Sequence, residues 1–423
     1  MRIENLRTEN GGGRVRQAAT VVWEDNHRPR QEIYFETSND FAHGFDLNPD
    51  AFLLACVLPA MHHRETRIVV DAGICPGLLE GLKYVLATMR HWFYDPQHSP
   101  IRIESRQGSY VTNAATTQSA EHKITGSLFS SGVDSLALLR DNHLRYPPDH
   151  PWFIRDAFII MGQNIESDMS EPTVRQAVVD FSAVTADAGA RLIPVYTNVR
   201  ALETDGKFFL RVNHGAIMAS VVHAFAQRLH TAFIASSGSI GELAFYKQPT
   251  FPPWGSHPLI DNYYSSANLQ IRHENLALTR LDKLRVLADW DAGLQHIRVC
   301  GRNWPGPNCG KCEKCVRTQL GLLALGLLDK SKAFPANDLT AEDLNVVRVK
   351  HFDPRFNIAT QAIYYELMAP LEAAGRHDLA RAIKHAENPR GKTPRARLRR
   401  AGKHLLGRGS AQRDGTGKWP PPK

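Results

Sequence analysis

The feature that most constrains this chain is the run Phe129-Ser130-Ser131-Gly132-Val133-Asp134-Ser135. The segment Lys123 to Phe129 reads as a buried strand, and Leu136-Ala137-Leu138-Leu139 opens a helical pattern directly after the turn. A small-residue turn from strand into helix leaves several backbone N–H groups free and pointing one way. With the serine hydroxyls and the positive end of the helix dipole, they form an anion cradle. Gly132 is expected to make the sharp turn and to let a ligand approach the backbone. The spaced glycines and the Gly-Lys-Ser/Thr ending of a Walker loop are missing. The competing reading is a plain serine-rich turn, with Ser130 or Ser131 capping the helix.

A second signal lies far downstream. Cys300, Cys309, Cys312 and Cys315 form a C-x8-C-x2-C-x2-C array. Short C-x2-C turns aim thiolates at one point, which suits a tetrahedral zinc ion, and four cysteines leave no open coordination position. Lys311 and Lys314 offset the thiolate charge, and Gly310 permits the tight knuckle. The alternatives are an iron–sulfur cluster, a reactive thiol pair or a disulfide framework. With two other cysteines, Cys56 and Cys75, and no signal-peptide pattern, the chain reads as cytoplasmic and the array as a structural zinc site.

The loop resembles the Ser-Gly-Gly-x-Asp-Ser signature of the PP-loop, or N-type, ATP pyrophosphatases, with Ser131 where that family usually has its first glycine. The order PP-loop, α/β segment, four-cysteine array and then Arg317 is similar to the 7-cyano-7-deazaguanine synthase family, over roughly residues 124–325. That resemblance implies a HUP-type parallel sheet, bound ATP, Mg²⁺ and Zn²⁺, and release of AMP and pyrophosphate. It also implies an adenylated carboxylate or carbonyl oxygen to which nitrogen is transferred. Phosphate contacts fall to Ser130, Ser131, Gly132, Val133, Asp134 and Ser135, and adenine contacts to Met161 and Gly162 at the end of the strand Ala157–Met161. The synthases' substrate-binding pattern is missing after the fourth strand, where this chain has Ala235-Ser236-Ser237-Gly238-Ser239. The substrate is therefore a small molecule or modified base of unspecified identity.

Other candidates follow from position at strand ends, where α/β folds gather ligands. Ser236, Ser237 and Ser239 are candidate substrate contacts, or simply a turn. His214, at a helix start, is a candidate proton carrier or a cap. Pro252 to Asp261 is a rigid, aperiodic loop that offers His257 for proton transfer and Asp261 for substrate contact, or merely bridges elements. Catalysis is assigned to Asp134, Ser135, His214 and His257. Two rivals remain: sulfur transfer to RNA or a small molecule, and a non-catalytic adenine-nucleotide sensor.

The organisation expected is an α/β fold in four parts. Residues 1–120 read as an N-terminal α/β domain with a βαβαβ rhythm, ending in a polar linker, Gln107 to His122. There Cys75, at the end of the strand Ile68–Val70, is either a nucleophile or an inert buried thiol. Residues 121–335 form the PP-loop domain with the zinc site, and 336–389 a helical extension suited to packing or a homodimer. Residues 390–423 carry eleven Lys/Arg against one acid, which exceeds the whole chain's net +8 and leaves residues 1–389 slightly acidic. Such a tail is expected to be disordered, either a solvated extension or a contact for nucleic acid or an acidic partner. No long apolar span suggests a membrane.

Overall fold

In the computed structural model, residues 1–95, 98–105, 123–162, 171–243, 253–301, 306–347 and 363–387 are described. Ten strands form one mostly parallel sheet: β1 Arg2–Gly11, β2 Arg14–Val22, β3 Gln31–Ser38, β4 Arg67–Val70, β5 Arg102–Ser105, β6 Ile124–Leu128, β7 Ile154–Met161, β8 Arg191–Thr197, β9 Leu229–Ala235 and β10 Gln270–Glu274. Their spatial order is β10-β9-β6-β7-β8-β3-β2-β1-β4-β5. The helices are α1 Pro49–His62, α2 Pro76–Phe93, α3 Val133–Arg145, α4 Glu171–Asp187, α5 Gly206–Phe208, α6 His214–His223, α7 Ile240–Leu243, α8 Arg280–Val286, α9 Asp291–Gln295, α10 Glu313–Ala324, α11 Met368–Ala373 and α12 His377–Glu387. None of the described helices is long and apolar enough to cross a membrane.

Strands β6 to β10 are all parallel to one another. The chain leaves β6, builds β7 and β8 on one side, then returns to place β9 and β10 on the other. The order therefore reverses at β6, and the crevice beyond the carboxyl ends of β6 and β9 is where such sheets bind ligands. The loop Ser130–Gly132 emerges there.

The N-terminal segment carries the expected βαβαβ rhythm as β3, α1, β4, α2 and β5, with two further strands, β1 and β2, ahead of it. It opens with the antiparallel meander β1–β2–β3, followed by the parallel strands β4 and β5. Strand β1 carries exposed or half-exposed residues along most of its length, with Ile3 its fully buried position. Strand β3 then pairs antiparallel with β8, through Phe35 with Thr197 and Glu36 with Tyr196, so the two segments share one sheet. Pro194 has no N–H to offer a neighbour, and pairing to β3 begins only beyond it. Side chains close the gap: Thr37 Oγ1 donates to Pro194 O at 2.9 Å, and Asn198 both accepts from Tyr34 N at 2.9 Å and donates to Glu32 O at 2.8 Å.

Helix α1 is buried on every side from Asp50 to His62. An all-round apolar helix belongs inside a core rather than on a face. It packs in one cluster with β1–β3, α2 and α6, across the segment boundary. Asp50 is buried there, its Oδ1 accepting from Cys75 N at 2.9 Å. Burial pushes its carboxyl up to about 6, against the smaller pull of that bond. A carboxyl raised above its unfolded value favours folding while protonated, and that contribution is lost as pH climbs from about 4 to 6. Asp50→Asn is accordingly expected to stabilise the protein by on the order of 1–2 kcal/mol above pH 6 and to change little near pH 4. Thermal melts across that range read the difference.

The helix that His214 opens ends at His223 and follows a π-helical turn at Phe209–Asn213. The extension carries α11 and α12, while residues 348–362 lie outside the described residues. The linker Gln107 to His122 and the tail 390–423 also lie outside them.

Candidate functional site

The loop after β6 is held from three directions. Ser131 adopts φ +55°, so the left-handed turn falls on a serine and not on Gly132, whose φ is −74°. This corrects the turning role given to Gly132. Glycine at 132 is a matter of space, since a Cβ there would lie 3.3 Å from Ser130 Oγ. Ser131 is fully buried. Its Oγ donates to His296 O at 2.7 Å, and its carbonyl accepts from Arg298 N at 2.8 Å. Ser135 Oγ donates to Gly132 O at 3.1 Å and accepts from Ser130 N at 3.3 Å, so one hydroxyl closes the loop onto the first turn of α3. Val133 is buried under it.

The residue at 131 is a compromise between strain and bonding. Ser131→Gly relieves the left-handed backbone and loses the bond to His296, two effects of about 1 kcal/mol each and opposite sign. Ser131→Ala loses the bond and keeps the strain. Chemical denaturation should therefore show the alanine variant about 1–2 kcal/mol less stable and the glycine variant close to the parent.

Two cations that the sequence did not flag converge on Asp134. Arg280 Nη1 donates to its Oδ2 at 2.9 Å and Lys283 Nζ to its Oδ1 at 3.2 Å. Lys283 Nζ also donates to Ser236 O, which ties the end of β9 to the first turn of α3. The Lys283 side chain has no exposed surface, and Arg280 has 11%. Burial would raise the Asp134 carboxyl, but Arg280 and Lys283 together hold it below the ordinary range. Burial conversely lowers the Arg280 guanidinium, with Asp134 opposing and Arg317 reinforcing. Arg317 is itself paired with Glu313 at 3.5 Å. Positions 280 and 283 lie three apart on α8, whose Thr279–Asp282 capping box fixes its start. Spacing of basic residues at i, i+3 is too common on helices to have marked them.

Cys300, Cys309, Cys312 and Cys315 come together, with ligand atoms all within 4.8 Å of one another. Sulfur separations are 3.4 Å for 312–315, 3.9 Å for 309–315 and 4.0 Å for 300–312. A tetrahedral zinc at about 2.3 Å from each sulfur requires edges of about 3.8 Å. The cluster therefore has the size to hold a metal ion such as zinc. Asn308, which sequence reasoning passed over, clamps it: Oδ1 accepts from Val299 N and Cys300 N, while Nδ2 donates to Ile297 O and Ala333 O. Gly310 has φ +71°, and a Cβ there would press to 2.8 Å on Pro335. The strand of chain entering the cluster, His296 to Arg298, is the same one that bonds Ser131.

The remaining candidates sit as follows. Met161 ends β7 beside Tyr196, and Gly162 has φ +95° with its Cβ position 2.3 Å from Thr197 O, so only glycine allows that approach. The Ser236 hydroxyl donates to Gly238 O, Ser237 is exposed, and Ser239 forms a reciprocal cap with Glu242, whose Oε2 accepts from Ser239 N at 2.6 Å. His257 is buried; its Nδ1 accepts from Leu259 N at 3.1 Å, its ring edge meets Trp92, and burial lowers it to about 4. Asp261 is fully buried, accepting from His257 N, Ser256 Oγ and the His273 ring. His214 starts α6 in the same region, lowered by burial with Asp261 opposing. Cys75 is buried, and its sulfur accepts from Ala267 N at 3.3 Å.

No protein-family model matches this chain, and neither a curated protein nor a solved structure matches it.

Proposed function

We propose that this protein is an ATP-dependent, AMP-forming enzyme that adenylates a carboxylate or carbonyl oxygen and transfers nitrogen to it. The observation that carries this reading is the convergence on one loop, at the reversal point of the five parallel strands β6–β10. The head of α3 carries Asp134, on which the buried Lys283 and the partly buried Arg280 meet. A polyphosphate entering that crevice would meet the head of α3 and the exposed Ser130, with Arg280 and Lys283 neutralising charge as pyrophosphate departs. Zinc in the four-cysteine cluster would act on structure, holding His296–Arg298 and so the Ser131 turn. Mg²⁺ would enter with ATP, shielding its phosphates.

Catalysis of this kind rests on positioning and charge stabilisation and needs no covalent nucleophile. That agrees with the cysteines outside the cluster. Cys56 lies in the buried body of α1, where burial pushes its thiol far up, and the Cys75 sulfur is engaged as an acceptor. Neither favours sulfur transfer. The test is to incubate the full chain with MgATP, ammonium and carboxylate-bearing deazapurines or other carboxylates, and to separate the nucleotide products. AMP with pyrophosphate, absent in Asp134→Ala, supports the reading. ADP with phosphate, or a wild-type chain that fails to bind ATP in equilibrium dialysis, overturns it.

A further inference from the structure

The carboxyl edge of β9 and β10 holds a second group of polar side chains, on the α6 side of the sheet. His273 pairs in register with Ile234, two residues before Ser236, and Ser236 N donates to Glu274 O at 3.0 Å. Its strand neighbour on the same face, Ile271, joins the core that contains α6. His273 Nδ1 lies 2.7 Å from Asp261 Oδ2, with side-chain exposures of 4% and 0%. Ser256 Oγ donates to the same carboxylate oxygen at 2.6 Å, and His257 N to the other at 3.1 Å. Asp261, which accepts three hydrogen bonds, fixes the His273 ring with Nδ1 as the donor. Nε2 is then a bare lone pair, buried and without a hydrogen-bond partner among the described residues. Buried polar atoms are nearly always paired in folded proteins, so a buried imidazole nitrogen left bare opposite a carboxylate-fixed Nδ1 points to an occupant that donates a hydrogen bond.

We propose that Asp261 and His273 form a proton-accepting dyad for the nitrogen nucleophile, which arrives as ammonium. The inference rests on the nitrogen-transfer reading above. An N–H bond of ammonium breaks, its proton joins His273 Nε2, and the freed electron pair attacks the acyl carbon. The carbon–oxygen bond to AMP then breaks, AMP leaves with that pair, and the second proton lost by nitrogen passes to solvent. His273 touches the nucleophile; Asp261 is a positioning residue that acts through the imidazole. A dyad of this kind differs from a plain buried ion pair in keeping the distal nitrogen as a lone pair that accepts a proton.

Histidine-selective ¹⁵N labelling of the full chain, with resonances assigned through His273→Gln and His214→Gln, tests this without any acyl substrate. At neutral pH His273 is expected as the Nδ1–H tautomer with Nε2 bare. Asp261→Asn should reverse it, because His257 N retains the amide oxygen and the amide nitrogen then faces the ring. Ammonium chloride, and not potassium chloride, should move the His273 Nε2 resonance. A ring protonated at Nε2 at neutral pH, or one that ignores ammonium, overturns the dyad. The nucleotide assay reports on adenylation separately: a formed dyad with no AMP sinks the adenylation reading alone. Where AMP forms, His273→Gln should slow ammonium-dependent amide formation about 10²-fold. Hydroxylamine, a nucleophile that needs no base at neutral pH, should restore it; equal loss with both nucleophiles would show a structural role.

Discussion

Cys312→Ser is expected to give a chain that binds no stoichiometric zinc, unfolds at least about 4 kcal/mol more easily, and loses affinity for ATP by tenfold or more. A four-thiolate site contributes its metal-binding free energy directly to folding, so the loss belongs among the largest a single substitution produces. The effect on nucleotide is specific to this architecture. His296 O and Arg298 N, on the segment leading into the cluster, make the two bonds that hold Ser131 in its left-handed turn. Two such bonds of about 1 kcal/mol each account for a tenfold change or somewhat more. Metal analysis, denaturation and equilibrium dialysis with ATP on the same preparations decide the matter. Iron with labile sulfide in the wild type would replace zinc in this picture. Undiminished ATP binding after chelation would show that the loop does not depend on the cluster.

Asp134→Ala is expected to abolish formation of AMP and to cost about 2–3 kcal/mol of stability. Most of that cost arises from Lys283, left buried with Ser236 O as its remaining partner, and from Arg280. The double variant Asp134→Ala/Lys283→Met should therefore recover about half of the lost stability while remaining inactive. The sign with pH follows from the lowered carboxyl. A group whose folded value lies below its unfolded one stabilises fully above about pH 4 and loses that contribution as pH falls through the folded value. The wild type and Asp134→Ala should thus differ most near neutrality and converge in strong acid. Full AMP formation by the alanine variant would remove the loop from the catalytic assignment.

The parts of this protein that local chemistry decides were legible. Strand and helix around Ser130–Ser135 follow from an apolar run, small residues and a 3.6-residue repeat, and the cysteine cluster follows from spacing alone. What escaped was built by contacts distant in sequence. Arg280, Lys283, Asn308 and His273 are ordinary residues in their local context. Each acquires meaning from a partner brought up by the fold, with Asp134 reaching across 146 and 149 residues to its two cations. The position of the left-handed residue was also misjudged, because glycine tolerates such a turn but two tertiary hydrogen bonds can hold a serine in it.

By itself the sequence determined the α/β class, the strand–turn–helix around Ser130–Ser135 and the four-cysteine cluster, since these depend on residue periodicity and on cysteines a few positions apart. Only the tertiary structure decided that the N-terminal meander continues the sheet through β3 and β8, and which cations meet the loop. It also placed Asp261 on His273. Strand order and buried ion pairs are choices among many long-range contacts of similar local cost, and the packing of the whole chain selects one of them.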